Sequence, residues 1–309
     1  MTATVYKSTG SFYLAYDDAG RKWTCRIRGR LKIDDAISST NPIAVGDRVT
    51  FFIENEDERT AMITGIEDRH NYMVRTSPHN KHQKHIVAAN IDMALLVATI
   101  KEPRTSNGFI DRFLVTSEAY HIPAVIVFNK ADLLQGKYAE EWQERKAIYE
   151  AIGYETFTVT AATGEGLEAL SKKLQDKTTL FSGHSGVGKS TLINYFIPDK
   201  NLKVQEVSGW SGKGQHTTTF AEMFDMPGGG RIIDTPGVKE FGIVDMGEEE
   251  LSHYFPEMRA LLEGCRFNNC IHINEPGCAV KAAVAAGLVS IERYESYIAI
   301  LSSLDNGFT

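Results

Sequence analysis

The stretch Thr179-Leu-Phe-Ser182, Gly183-His-Ser-Gly-Val-Gly-Lys-Ser190 and Thr191-Leu-Ile-Asn-Tyr-Phe196 decides the fold. It has the pattern of a buried strand, a loop of the form GxxxxGK[ST] and a helix, which is the context of a phosphate-binding P-loop. Its glycines let backbone N–H groups converge on phosphate oxygens at the positive end of a helix. A chance match in a glycine-rich loop is the alternative, and the flanking strand and helix argue against it.

Two side chains of this loop have predicted roles. Lys189 is expected to reach the β- and γ-phosphates of a nucleotide, and the Ser190 hydroxyl is expected to ligate Mg²⁺. The residues predicted to line the nucleotide are Gly183, His184, Ser185, Gly186, Val187, Gly188, Lys189, Ser190 and Thr191.

A second motif, Asp234-Thr-Pro-Gly237, ends the predicted strand Arg231–Asp234. An acidic residue at a strand end near a P-loop can hold Mg²⁺ through water, and the Gly237 N–H can sense a γ-phosphate. In isolation the same four residues predict a turn, since Asp, Pro and Gly are turn formers. The P-loop upstream favours the nucleotide-binding interpretation.

Guanine specificity is predicted from Asn129-Lys-Ala-Asp132, which follows the apolar strand Ala124–Phe128. The Asp132 carboxylate can accept from both N1–H and the exocyclic amine of guanine, whereas adenine offers neither donor there. The Lys130 stem can pack on the base, and Asn129 can brace the loop and contact the purine. Alone these residues also fit a turn; beside the other motifs they predict binding of GTP and GDP.

A weaker guanine signal is Thr160-Ala-Ala-Thr-Gly164, in which Thr160 leads into an Ala161 N–H that could meet guanine O6. The order of the motifs is rotated, because both base motifs precede the P-loop. In translation-factor-like GTPases the P-loop comes first, so this order resembles a circularly permuted GTPase. The motifs meet in space around one nucleotide, and permutation need not disrupt the site.

The residue that orients the catalytic water is predicted in an unusual place. Many GTPases have a glutamine after the DxxG turn, whereas here the apolar Val238 follows Gly237. The segment Gly212-Lys-Gly-Gln-His-Thr-Thr-Thr219 lies where the first switch loop belongs. We predict that Thr218 ligates Mg²⁺ and that His216 positions the water, since a neutral imidazole is a usable acceptor. The alternative is that His216 is merely a polar loop residue.

The N-terminal residues have short β-rich runs separated by turn clusters, which predicts a small barrel. Period-two spacing places a row of cations on one strand face, and Trp23 offers a stacking surface. Such a basic stripe favours RNA binding, with a solvated strand face as the alternative. Cys25 is interpreted as a small core residue. The cations are Arg21, Lys22, Arg26, Arg28, Arg30 and Lys32.

The C-terminal part is helical in pattern and contains Cys265-x4-Cys270-x-His272-x5-Cys278. Three thiolates and an imidazole are the ligands of a closed, tetrahedral structural Zn²⁺ site, and one such ion is predicted. Buried or free thiols are the alternative. Between the barrel and the central region, Pro78–His85 has histidines at spacing three and is interpreted as a solvated or RNA-facing linker.

Composition limits the class of protein further. The chain has 309 residues, 24% of them charged, and a net charge of −7, which argues against nonspecific nucleic-acid binding by the whole surface. We see no secretory signal and no apolar run long enough to span a bilayer. The sequence therefore predicts a cytoplasmic protein with no membrane partner.

These features together resemble the ribosome small subunit-dependent GTPase A family (RsgA/YjeQ type). The resemblance covers the whole chain and implies an N-terminal OB-fold RNA-binding domain at 1–68, a central α/β circularly permuted P-loop GTPase domain at 69–244 and a mostly helical zinc-binding domain at 245–309. Thr160 stands where serine is usual, a mild change because the expected contact comes from the backbone.

The resemblance implies a bacterial cytoplasmic GTPase that acts late in maturation of the small ribosomal subunit, with that subunit and its rRNA as partners. Its slow hydrolysis is expected to be stimulated by the subunit, with the switch-loop histidine, here His216, as catalytic residue. A monomer is expected. Two alternatives remain: a nucleotide-gated RNA-binding checkpoint in which turnover is incidental, and a P-loop enzyme that acts on another RNA or translation factor.

Overall fold

The structure is a computed structural model that describes residues 1–27, 42–77, 80–200, 221–235 and 246–305. The strands in these ranges are β1 (Thr2–Ser8), β2 (Tyr13–Asp17), β3 (Lys22–Ile27), β4 (Arg48–Asn55), β5 (Thr60–Ile66), β6 (Tyr72–Ser77), β7 (Asn80–Ala89), β8 (Met93–Ala98), β9 (Ala124–Phe128), β10 (Glu155–Thr158), β11 (Thr178–Ser182), β12 (Glu222–Asp225) and β13 (Arg231–Asp234). The helices are α1 (Asn107–Ala119), α2 (Lys137–Ala151), α3 (Leu167–Leu174), α4 (Lys189–Phe196), α5 (Pro256–Arg259), α6 (Ala279–Ala285) and α7 (Ile291–Asp305).

The central region is a predominantly parallel sheet with helices on both faces, as predicted. Its strand order is β10-β9-β8-β11-β13-β12, and β12 is the antiparallel member. Strand β8 is buried along its whole length. Its side chains alternate between two cores: Leu96 packs with residues of α1 and α2, and Leu95 and Val97 pack with residues of α3 and α4. Such two-sided burial explains why the strand is a continuous apolar run.

The N-terminal region is a closed barrel of five strands, in the order β1-β2-β3-β5-β4 with β4 pairing back to β1. This confirms the predicted OB-type barrel. Its core contains Tyr13, Cys25 and Phe51. Cys25 is fully buried, and burial raises the pKa of its thiol to about 11. The interpretation of Cys25 as a core residue is therefore confirmed.

The prediction that Trp23 provides a stacking surface is wrong. Trp23 is 0% exposed, its indole packs 5.6 Å from the Phe51 ring, and its N–H donates to Asp17 at 3.0 Å. In β3 the side chains of Lys22, Thr24 and Arg26 point outward instead. Arg28, Arg30 and Lys32 lie outside the described residues.

The barrel and the central sheet are joined edge to edge. Strand β1 pairs antiparallel with β12, so the described strands of both regions form one continuous sheet. The Tyr6 hydroxyl donates to Asp225 at 2.6 Å, and the Lys7 ammonium donates to Glu222 at 3.1 Å. Nothing in the local sequence predicted this seam, because its partners are more than two hundred residues apart.

The segment Pro78–His85, interpreted as a solvated or RNA-facing linker, has regular structure in the part that is described. Residues 80–85 belong to β7, which pairs antiparallel with β6 in a two-stranded hairpin. Ala88 and Ala89 near the end of β7 are buried. The hairpin therefore leads directly from the barrel into the central sheet.

The C-terminal residues form a compact helical unit that packs on the central domain through α1. Val115 of α1 belongs to the same buried cluster as Phe255, Tyr297 and Leu301. None of the helices in the described ranges combines the length and apolar character needed to cross a membrane.

A buried ion-pair network fixes this interface. The Arg293 guanidinium, 1% exposed, donates to Asp111 of α1 at 2.6 Å and to Glu257 at 2.7 Å. Tyr149 of α2 donates to the same Asp111 oxygen at 2.9 Å. Burial would lower the pKa of Arg293, but the two carboxylates outweigh it and raise that pKa above its ordinary value. The network thus joins α7, α1 and α2.

Replacing Arg293 by Met is expected to destabilise the chain by about 3–5 kcal/mol, because it leaves two buried carboxylates without their counter-charge. Urea unfolding followed by circular dichroism measures the change. The matched control is Arg259→Met, since Arg259 pairs with Glu118 at 3.0 Å but is half exposed. That pair is expected to contribute under about 1 kcal/mol, and equal losses in the two variants would contradict the assignment.

Candidate functional site

The predicted nucleotide motifs converge at the carboxyl-terminal end of the parallel strands of the central sheet. Parallel strands β9, β11 and β13 end at Phe128, Ser182 and Asp234, so the segments that follow them emerge side by side. This is the edge where ligands bind in open α/β sheets. The P-loop connects β11 to α4, as the sequence predicts.

Asn129 ties three of these segments together. Its amide nitrogen donates to the Val187 carbonyl of the P-loop at 2.8 Å, and its amide oxygen accepts from the Ala161 N–H at 3.0 Å. Gly188 has a φ of +92°, and a Cβ at this position would collide with the Asn129 amide. Glycine is therefore required here for both its backbone conformation and the close approach of Asn129.

The phosphate end of the site places a cation beside the second motif. The Lys189 ammonium donates to the Asp234 carboxylate and, at 2.6 Å, to the Thr235 carbonyl. The Lys189 and Asp234 side chains are 11% and 4% exposed. Ser190 and Thr191 follow in the first turn of α4 and are half-buried. This arrangement gathers a cation, a carboxylate and hydroxyls around the space above the P-loop.

The base end is formed by the segments after β9 and β10. Asp132 is exposed in a short turn of 3₁₀ helix at Ala131–Leu133, with its carboxylate accessible to a ligand. The Lys130 ammonium donates to the Glu102 carbonyl. The Thr160 carbonyl accepts the N–H of Gly164 at 2.9 Å, which closes the loop that presents the Ala161 N–H.

Three predicted site residues, His216, Thr218 and Gly237, lie outside the described residues. Their roles stay predictions from the sequence. The remaining predicted residues of the nucleotide site all lie at the sheet edge described above.

The predicted metal ligands form a second cluster, in the C-terminal unit. One donor atom each from Cys265, Cys270, His272 and Cys278 lies within 4.8 Å of the others. His272 Nδ1 is 3.3 Å from Cys278 Sγ and 3.7 Å from Cys265 Sγ. In a tetrahedron with Zn–N near 2.0 Å and Zn–S near 2.3 Å, a nitrogen and a sulfur ligand are about 3.5 Å apart and two sulfur ligands about 3.8 Å apart. The donor set therefore fits Zn²⁺.

Burial disfavours the charged thiolate of Cys270 when no cation is bound. It raises the pKa of the Cys270 thiol to about 12, and the neighbouring Cys278 sulfur adds to the effect. A divalent cation reverses this preference, because coordination requires the deprotonated thiol.

A carboxylate organises the loop that carries these ligands. Glu275 accepts backbone N–H groups from Ile271 at 2.8 Å, Ile273 at 2.9 Å and Asn274 at 3.0 Å. These three residues flank His272, whose φ of +60° is unusual for a side chain other than glycine. Glu275 thus holds the backbone on both sides of a predicted ligand.

Replacing Glu275 by Gln is expected to weaken metal binding about 10- to 100-fold, as loss of an outer hydrogen-bonding partner does in other metal sites. Titration with Co²⁺ against a chelator measures the affinity, and the absorption spectrum reports the coordination. Glu263→Gln is the control, because Glu263 is exposed and precedes the first ligand. Equal Co²⁺ affinities for the two variants would contradict the role of Glu275.

Sequence reasoning missed Glu275, Arg293 and a third residue, Thr105, which lies beside the P-loop. Of the three, Glu275 was the easiest to find from the sequence, because it lies within the segment from Cys265 to Cys278. Arg293 and Thr105 carry no local signal, because their partners lie far away along the chain.

A P-loop, a guanine-recognition loop and an acidic strand end now meet on a parallel sheet whose strands follow the chain in rotated order. Together they define the class: a circularly permuted P-loop GTPase, joined to a five-stranded barrel and a helical unit with a Cys₃His cluster.

Comparison with known proteins identifies the family. The profile of the RsgA GTPase family matches residues 66–244, and that of the RsgA N-terminal domain matches residues 2–63. The small ribosomal subunit biogenesis GTPase RsgA of Flavobacterium psychrophilum is 50% identical over 309 residues, which cover all of this chain and 94% of that protein. Its namesake in Bacteroides fragilis is 48% identical and covers 99% and 98% of the two chains.

Two solved structures have a similar fold over almost the whole chain. YjeQ from Thermotoga maritima superposes with a TM-score of 0.76 at 32% identity and 98% coverage of both chains. YloQ, described as a circularly permuted GTPase, gives a TM-score of 0.74 at 29% identity, with 99% and 95% coverage. The chain belongs to the RsgA GTPase family, and it is a GTP hydrolase.

Proposed function

We propose that this GTPase is stimulated by the small ribosomal subunit and acts late in the maturation of that subunit. The observation that carries the proposal is the full-length similarity to proteins named small ribosomal subunit biogenesis GTPase. The protein works as a cytoplasmic monomer. Its domains extend over residues 1–68, 69–244 and 245–309, as the sequence predicts.

GTP is bound at two places, with its phosphates at the P-loop and its base at the segment Asn129–Asp132. Lys189 and the P-loop N–H groups bind the phosphates, and Ser190, with Thr218 in the GTP state, ligates Mg²⁺. Asp234 holds the metal through water, and Gly237 senses the γ-phosphate. In this arrangement the Lys189 ammonium exchanges its Asp234 partner for phosphate oxygens.

The base end supplies specificity. Asp132 accepts from N1–H and the exocyclic amine of guanine. The Ala161 N–H donates to guanine O6 by exchanging its present acceptor, the Asn129 amide oxygen, for the base. Asn129 stays tied to the P-loop through the Val187 carbonyl. His216 positions the attacking water, because Val238 is apolar and cannot.

The Cys₃His cluster holds one structural Zn²⁺ through Cys265, Cys270, His272 and Cys278. A closed set of four protein ligands leaves no position for substrate, so the ion supplies folding free energy and no chemistry of the GTPase reaction.

The barrel contacts rRNA. Lys22 and Arg26 are exposed on one face of β3, and the Arg26 guanidinium lies 5.1 Å from the ring centroid of Phe12, which is 46% exposed. Cations beside an exposed aromatic ring suit a backbone phosphate and a stacked base. Phe12 thus takes the stacking role that the sequence assigned to Trp23.

Sedimentation with purified ribosomal subunits tests the partner. With a nonhydrolysable GTP analogue, the protein is expected to pellet with small subunits and not with large ones, and to be released when GDP replaces the analogue. Equal binding to both subunits, or to neither, would overturn the proposal while leaving the GTPase activity intact.

A further inference from the structure

The loop between β8 and α1 braces the nucleotide site, and its centre is Thr105. Thr105 is 0% exposed, and each of its polar groups is paired. Its N–H donates to the Thr99 carbonyl at 2.8 Å, and its hydroxyl oxygen accepts the Thr99 N–H at 2.9 Å. Its carbonyl accepts from the Arg145 guanidinium at 2.6 Å. The same hydroxyl lies 2.8 Å from His184 Nε2 in the P-loop.

The hydrogen-bond pattern defines the roles of this pair. The Ser185 carbonyl can only accept, so His184 Nδ1, 3.2 Å away, carries the ring proton. On a neutral ring Nε2 is then the acceptor, and the Thr105 hydroxyl donates to it while its oxygen accepts from Thr99. Burial lowers the pKa of His184, which favours the neutral ring that this pattern needs. The edge of the Phe109 ring packs on the imidazole at 5.4 Å.

Two hydrogen bonds anchor the loop between β8 and α1 to other parts of the fold, one at the Thr105 carbonyl and one at the Glu102 carbonyl. Arg145 of α2, which is buried, pairs with Glu141 at 2.8 Å and so fixes the Thr105 carbonyl. At the other end of the same loop, the Glu102 carbonyl accepts from Lys130 of the base motif. One loop therefore connects helix α2, the P-loop and the guanine-recognition segment.

We propose that Thr105 is a positioning residue of the GTPase site, which acts through His184 to hold the P-loop in its phosphate-binding conformation before the nucleotide arrives. A loop that is already in the bound geometry binds with less loss of conformational entropy. The inference rests on the GTPase activity and is independent of the ribosomal role.

The test is Thr105→Val, which keeps the shape and removes the hydroxyl. Affinity for N-methylanthraniloyl-GDP is expected to fall roughly tenfold, equivalent to about 1.4 kcal/mol. Since the P-loop holds ground state and transition state alike, KM for GTP is expected to rise with little change in kcat. Thr105→Ser is expected to restore both.

Thr116→Val is the matched control, because Thr116 is also buried and its hydroxyl donates to the Arg112 carbonyl at 2.8 Å within α1. His184→Ala and the double variant with Thr105→Val complete a cycle, in which the double variant is expected to lose no more affinity than the more affected single one. Circular dichroism of each variant establishes that it is folded.

Four results would overturn the proposal: GDP affinity of folded Thr105→Val equal to that of Thr116→Val, additive losses in the cycle, failure of Thr105→Ser to rescue, or a loss confined to kcat. If Thr105→Val does not fold, the test passes to Thr105→Ala, in which an unchanged GDP affinity would overturn the proposal and a reduced one that Thr105→Ser restores would support it.

Discussion

Replacing Asp132 by Asn is expected to lower the affinity for GDP and GTP by about two orders of magnitude and to create affinity for xanthosine diphosphate. Removing a charged acceptor that binds two donors of guanine costs roughly 3 kcal/mol, which corresponds to about a hundredfold. Xanthine has a carbonyl where guanine has its amine, so an asparagine amide can donate to that carbonyl and accept from N1–H. The substitution is therefore expected to change the preferred base from guanine to xanthine.

Competition of fluorescent GDP with unlabelled GDP, XDP and ADP measures this switch. Asp176→Asn is the control, because Asp176 is also exposed but precedes β11, at the opposite edge of the sheet. That variant is expected to keep the guanine preference. Loss of GDP binding by Asp132→Asn without gain of XDP would show that Asp132 acts on the fold of the loop and does not read the base.

Replacing His216 by Ala is expected to reduce GTP turnover by about 10²- to 10⁴-fold, the usual contribution of a positioned acid–base group, while GTP binding stays intact. Single-turnover hydrolysis and a separate nucleotide titration distinguish the two effects. His70→Ala is the control, since His70 is exposed and lies between the barrel and the hairpin. Unchanged turnover in His216→Ala would remove this residue from the mechanism.

The same variant separates the proposed function from its alternative. If GTP turnover drives maturation, His216→Ala is expected to bind small subunits and stay on them. If the protein is a nucleotide-gated checkpoint in which turnover is incidental, the variant supports maturation at the normal rate. Counting mature subunits in cells that carry only this variant decides between the two.

Local sequence pattern predicted most of the central sheet and the barrel. Strands Ala124–Phe128 and Arg231–Asp234 have the predicted bounds, because each is a β-rich run that ends at a turn signal. Strand β1 was missed because Ala3 to Tyr6 are buried in succession, so the strand lacks the alternation of a half-buried one. The hairpin of β6 and β7 was missed because its lysines and histidines do not alternate with apolar residues as a half-buried strand does.

The error at Trp23 has a simple cause. Period two, which places Arg26 on the outside of β3, also places Trp23 in phase with Cys25 and therefore inside. The exposed aromatic that lies against Arg26 is Phe12, which belongs to the segment before β2 and not to the basic strand itself. Applied to the whole strand, the same rule would have excluded Trp23.

The parts of the candidate site that could be predicted are those in which the functional residues have a fixed spacing within a short motif. The P-loop, the guanine motif and the Cys₃His cluster each depend on a short run of residues, and the fold brings every described member to the expected place. Thr105 and His184 are 79 positions apart, and Asp111 and Arg293 are 182 apart. Contacts at such separations follow from helix and strand packing, which no local pattern specifies.

The central claim is that this is a GTPase that responds to the small ribosomal subunit. The most direct test is the rate of GTP hydrolysis by the purified protein with and without small subunits, with ATP and large subunits as controls. We predict slow hydrolysis of GTP alone, strong stimulation by small subunits only, and no hydrolysis of ATP. A GTPase rate that is the same with small subunits, large subunits or none would contradict the ribosomal role.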